Sequence, residues 1–168
     1  MPWLKSVKEK NVAHNVDLDL QYGLDEQGLP SESQVITWVK SVVSERIKEP
    51  VALTIRLVDE SEGAELNEAY RHKSGPTNVL SFPYDGEVEL SPVLLGDIVI
   101  CAPVVVKEAK EQNKSETSHW CHMVVHGVLH LLGYDHINDT DADEMEREEI
   151  AILVGLGFEN PYENKVEA

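Results

Sequence analysis

The chain has 168 residues, enough for one domain with a sizeable core, and its hydrophobic content of 42% fits a globular protein. Its apolar runs are too short and too broken to cross a bilayer, which excludes a spanning helix. A formal net charge of -17, from 31 Asp and Glu against 14 Lys and Arg, excludes nucleic-acid binding through a diffuse positive field, so any such contact has to rest on a local basic patch.

The first residues, MPWLKSVKEKN, lack the apolar core of a signal peptide. Cys101 and Cys121, the only cysteines, sit in apolar surroundings and are expected to be reduced and buried, which places the chain in the cytoplasm. Val16, Leu18 and Leu20 alternate with Asp17 and Asp19 and predict a first strand with one wet face. Ser31 with Gln34 forms a capping box and opens a helix to about Ile47, ended by Pro50. Val51 to Val58 reads as a second strand, with Leu53, Ile55 and Leu57 on one face and Arg56 on the other. A short helix from Ser61 to Tyr70 follows, anchored by Leu66, and Ser74 to Thr77 is a loop.

Asn78 to Phe82 is the third predicted strand, stopped by Pro83, and Leu94 to Cys101 the fourth. The acidic Asp85 to Glu89 between them reads as a hairpin or loop. A helix after Pro103 fades near Asn113, and Ser115 caps the next one, which runs to Leu132. A last helix from about Thr140 carries acids in its first turn, buries Met145, Ile150, Ile152 and Leu153, and ends at Gly155 or Gly157. The tail from residue 159 to 168 reads as polar and loose. The whole is a single α+β domain over residues 1–168, with about four strands in a mixed sheet and four or five helices.

Most of the chemistry lies in HGVLHLLGYDH, His126 to His136. His126 and His130 are four apart and share one helix face, so two imidazoles can hold one ion. Gly133 ends the helix and lets the chain turn back, which brings His136 in as a third ligand. Three protein ligands leave an open position, the mark of a catalytic metal site. Zinc, one ion per chain, or another divalent transition metal suits three imidazoles. His122 forms a rival pair with His126, but only the set of His126, His130 and His136 uses the turn at Gly133, which leaves His122 a supporting residue. Asp135, just before His136, is placed either to orient a ligand imidazole or to make the turn. Metzincin peptidases share the spacing but carry Glu directly after the first His, where this chain has Gly127.

The acids avoid two stretches, Ala69 to Tyr84 and Thr117 to Tyr134, the longest acid-free segments of the chain. One holds the metal motif, and the other carries Arg71, His72 and Lys73, so an anionic ligand between them is expected. Arg71 and Lys73 are the candidates for holding its phosphates.

From about Val16 to Tyr162 the chain resembles the YbeY endoribonucleases, a family of rRNA maturation factors. The resemblance rests on HWCHMVVHGVLHLLGYDH, on PTNVLSFP at Pro76 to Pro83, on LLGDIVI at Leu94 to Ile100 and on TIRLVD at Thr54 to Asp59. It implies a single-strand-specific, metal-dependent RNA hydrolase that trims small-subunit rRNA near its 3′ end and takes part in ribosome quality control. Its implied partners are single-stranded rRNA and the small ribosomal subunit or its assembly factors, with no DNA and no membrane. The family's metal ligands fall on His126, His130 and His136, and its functional arginine on Arg56, which would stabilise charge in the transition state. Two departures stand out: residues 1–11 extend beyond the usual start, and His72 stands where the family commonly has glycine. With Gly127 in the base position, attack by metal-activated water and attack by the RNA 2′-hydroxyl both stay open. Two rivals are a zinc peptidase and a non-catalytic assembly protein with a closed, structural metal, completed by His122 or Cys121.

Overall fold

A computed structural model describes residues 15–86 and 91–163; the N-terminal extension, part of the acidic Asp85–Glu89 loop and residues 164–168 lie outside the described residues. Among these residues four strands and five helices follow one another. The order is β1 (Val16–Tyr22), α1 (Glu32–Val43), β2 (Val51–Val58), α2 (Glu60–Arg71), β3 (Val79–Pro83), β4 (Val93–Cys101), α3 (Ala102–Glu111), α4 (Glu116–Leu131) and α5 (Asp139–Gly155). The α+β class and the mixed four-stranded sheet agree with the sequence pattern.

The sheet runs β1-β2-β4-β3, with β1, β2 and β4 parallel and β3 antiparallel to β4. Pro83, which has no N–H to donate, is tolerated because β3 is the edge strand. Alternation sorts the strands into two faces. Leu53, Ile55 and Leu57 join Ile98 and Ile100 in a core shared with Val39, Val124 and Val128 of α1 and α4. The other face carries Arg56 and packs on α2: Gly63 of α2 lies so near Cys101 that an added Cβ would be 3.2 Å from its Sγ.

The capping box forms as the sequence predicts, with Ser31 Oγ accepting the Gln34 N–H at 3.2 Å and Gln34 Oε1 accepting the Ser31 N–H at 2.9 Å. Three expectations need correction. α1 ends at Val43, and the stretch to Ile47 is a turn tightened by an Arg46 N–H bond to Val43 O. Leu66 does not anchor α2; Gly63 and Asn67 are the buried residues, held by close backbone approach and by Asn67 Nδ2 donating to Gly75 O at 2.8 Å. Ile150 is only half-buried, and the inward face of α5 instead carries Glu149 beside Met145, Ile152 and Leu153.

Candidate metal centre

α4 builds the site. Ser115 caps it through Oγ, which accepts the Ser118 N–H at 3.0 Å. His119, His122, His126 and His130 recur every three or four residues, so their rings line one stripe with successive centroids 6.0, 6.3 and 4.7 Å apart. The helix closes in a Schellman motif: the Gly133 N–H donates to His130 O at 3.0 Å and the Tyr134 N–H to Leu129 O at 3.1 Å. Gly133, at φ 104°, turns the chain back on itself. That turn sets the His136 ring 5.8 Å from His126 and 5.1 Å from His130, centroid to centroid.

One nitrogen from each of His126, His130 and His136 lies within 4.8 Å of the others. His126 and His130 are half-buried and His136 is exposed, so the cluster opens to solvent on one side. The donor set fits a divalent transition metal with an open position. Burial first, and the neighbouring His126 and His136 second, pull His130 below the ordinary imidazole pKa, which favours its neutral, ligating form. Asp135 makes the turn, its Oδ1 accepting the His136 backbone N–H at 2.8 Å.

Behind the cluster lies a residue that the sequence pattern did not single out. Glu149 is fully buried and accepts hydrogen bonds from His126 Nδ1, from His122 Nε2 at 3.1 Å and from the Tyr162 hydroxyl. Burial alone would raise its pKa, yet the bonds from His122 and His126 outweigh it and hold the carboxyl well below the usual range. The available signal was its spacing: Glu149 is four after Met145 and four before Leu153, a charged residue on an apolar stripe. Tyr162 corrects the picture of the tail. Pro161 is buried, Lys114 Nζ donates to its carbonyl at 3.0 Å, and the Tyr162 hydroxyl reaches Glu149, so the chain is fastened here through 162.

A cleft of about 520 Å³ runs along the stripe from His126 past His122, His119 and Glu108 to Asn78. Glu108 accepts from His119 Nε2 at 2.8 Å and from Asn78 Nδ2 at 3.1 Å. The thiol of Cys121 is buried and pushed up to about 12.

The remaining candidates are carried by other elements, β2 and the C-terminal end of α2. Arg56 is on the α2 side of the sheet, forked onto Glu62 at 2.7 and 3.1 Å and donating to Gln21 Oε1 at 3.2 Å. Arg71 ends α2 and Lys73 follows it; both are exposed, without an ion pair among the described residues. Glu62 and Arg71 are nine residues apart on one helix, about 14 Å along its axis, so Arg56 and the Arg71–Lys73 loop do not form one patch. His72 caps α2 in the left-handed conformation, φ 57°, where glycine is the usual residue.

Fold and site together define an α+β domain that presents an open three-histidine cluster from one helix and the turn after it. Residues 24–157 match the family described as Endoribonuclease YbeY, and the chain belongs to that family. A solved relative is the solution structure of TM1509 from Thermotoga maritima, which is 29% identical with a TM-score of 0.58, over 81% of this chain and 86% of that one. Among the described residues no helix is long and apolar enough to cross a membrane.

Proposed function

We propose that this chain is a metal-dependent endoribonuclease that cleaves single-stranded RNA in the maturation of small-subunit rRNA. One ion, zinc by the chemistry of its donors, is assigned to His126, His130 and His136. The observation that carries this reading is the convergence of those three rings beside a cleft that His126 itself lines. When bound, such an ion supplies Lewis acidity at a phosphoryl oxygen. The chain's own residues prepare the place: His126 keeps Nε2 free because Nδ1 is engaged by Glu149, and His136 meets the helix pair from the solvent side. Arg56 sits on the sheet face opposite Leu53, Ile55 and Leu57, and its fork is held by Glu62, so a phosphate there competes with that carboxylate. We assign it to backbone charge at a nucleotide remote from the cut, with Arg71 and Lys73 holding further phosphates.

The two rivals fare worse on specific contacts. A peptidase base in place of Gly127 would have to occupy space taken by Ile98, which lies 3.0 Å from a Cβ built on the glycine. A closed structural site is disfavoured among the described residues, since His122 Nε2 is engaged by Glu149 and Tyr162 and burial pushes the Cys121 thiol up to about 12. The test is incubation of the zinc-loaded chain with matched single- and double-stranded RNA, with end-mapping of products and casein as a parallel substrate. Cleavage of the single strand alone, abolished by His130→Ala, is expected. Cleavage of casein, or of neither RNA with any divalent metal supplied, would overturn the reading.

A further inference from the structure

We propose that Glu149 is the positioning residue of the histidine cluster: it locks His126 with its proton on Nδ1, so that Nε2 faces His130 and His136. This rests on the metal reading above and adds to it a residue on a different helix. A carboxylate fully removed from water is costly by several kcal/mol unless its lone pairs are met. Here three donors meet them. His126 Nδ1 approaches Oε2, while His122 Nε2 at 3.1 Å and the Tyr162 hydroxyl approach Oε1. Three converging donors are the surroundings of an ionised carboxylate, which only accepts. Each partner must therefore bring its proton: His126 on Nδ1, His122 on Nε2, Tyr162 on its oxygen.

The consequences follow ring by ring. With Nδ1 protonated, His126 has its only lone pair on Nε2, the nitrogen available to the cluster. His122 is committed in the opposite sense: its Nε2 is used, and its buried Nδ1 has no hydrogen-bond partner among the described residues. That division explains why two histidines one turn apart take different parts. Tyr162 completes the arrangement from the C-terminal segment, its ring 5.3 Å from His122 and at 88° to it. A carboxylate behind a metal-ligating imidazole fixes the ring's orientation and raises its basicity, typically worth 10- to 100-fold in metal affinity.

A competing assignment uses the same atoms. His122, His126 and Glu149 also bring one ligand atom each within 4.8 Å, as a second ion would need. The hydrogen bonds favour positioning, since both carboxylate oxygens already accept from the rings and from Tyr162.

The experiment compares the full-length chain with Glu149→Gln, Tyr162→Phe and Glu108→Gln. Zinc affinity is read by competition with a chromophoric chelator, stoichiometry by titration, and the His126 tautomer by nitrogen-15 NMR of the zinc-free protein. Glu149→Gln is expected to weaken zinc about 10- to 100-fold and to lose the single Nδ1–H form of His126. Tyr162→Phe should weaken zinc in the same direction, several-fold. Glu108→Gln removes a carboxylate bonded to His119 on the same stripe and should leave zinc affinity unchanged, which separates positioning from general loosening of α4. Parent-like zinc affinity in folded Glu149→Gln would overturn the proposal. Should that variant not fold, parent-like affinity in Tyr162→Phe would overturn it instead. Two ions in the parent and one in Glu149→Gln would make Glu149 a ligand and also sink it. A parent chain that binds no zinc would bring down the metal reading itself, a result distinct from all of these.

Discussion

Gly127 of α4 lies directly over Ile98 of β4: a Cβ built on the glycine would be 3.0 Å from both Cδ1 and Cγ2 of the isoleucine. The missing side chain is therefore a packing requirement of the fold. It lets the helix that carries the histidines settle on the sheet, where Ser81 Oγ also donates to the Gly127 carbonyl at 3.3 Å.

Gly127→Ala sets two effects against each other. Alanine favours a helix interior by about 1 kcal/mol, whereas overpacking a rigid core costs about 1–3 kcal/mol. Ile98 is fully buried and has no room to swing away, so overpacking should win. A net loss of about 1 kcal/mol is expected from urea denaturation. Adding Ile98→Val should recover part of it, and strictly additive losses in the double mutant would contradict the contact.

His72 should gain from replacement. A non-glycine residue in the left-handed region costs about 1–2 kcal/mol, and His72 sits there at φ 57°. Its side chain is exposed and adds no packing. His72→Gly is thus expected to raise stability by about 1 kcal/mol, and an unchanged denaturation midpoint would mean that another contact holds the histidine.

Glu108 gives a pH-dependent term of definite sign. Burial raises its pKa, but bonds from His119 and Asn78 prevail and leave it below the ordinary 4.5. A depressed carboxyl contributes stability that is fully present above the unfolded value and lost as pH falls through the folded one. The stability gap between the parent and Glu108→Gln should therefore be widest above pH 4.5 and close below it. A gap independent of pH would exclude this role.

Legibility in the sequence tracked how local each cause was. The cluster of His126, His130 and His136 was readable because a helix period and one glycine turn place all three within eleven residues. The caps at Ser31 and Ser115 are equally local. Glu149 was hidden among the acids of DADEMEREEI, where only packing against α4 decides which one turns inward. Tyr162 had no periodicity to announce it, since a single hydroxyl and the buried Pro161 hold that segment. Leu66 misled for a related reason: α2 meets the sheet through a glycine, and no apolar count reveals that. The side of the sheet on which Arg56 lies followed from alternation, but the strand order β1-β2-β4-β3 did not.

Salt dependence separates the three cations assigned to RNA. Each phosphate contact on a single strand adds about -0.7 to the slope of log affinity against log salt. Arg71 and Lys73 are exposed and unpaired among the described residues, so both are ready to contribute, and replacing them together with Ala should flatten the slope by about 1.4. Arg56 starts from a different state, because Glu62 already occupies its fork. The pair is about a third exposed on each side, so its loss should cost the fold no more than about 1 kcal/mol. Freeing the guanidinium by Glu62→Gln should then strengthen single-stranded RNA binding, whereas Arg56→Ala should weaken it with little change in stability. RNA affinity that falls in Glu62→Gln would show that the pair acts as a unit and that Arg56 does not exchange its carboxylate for phosphate.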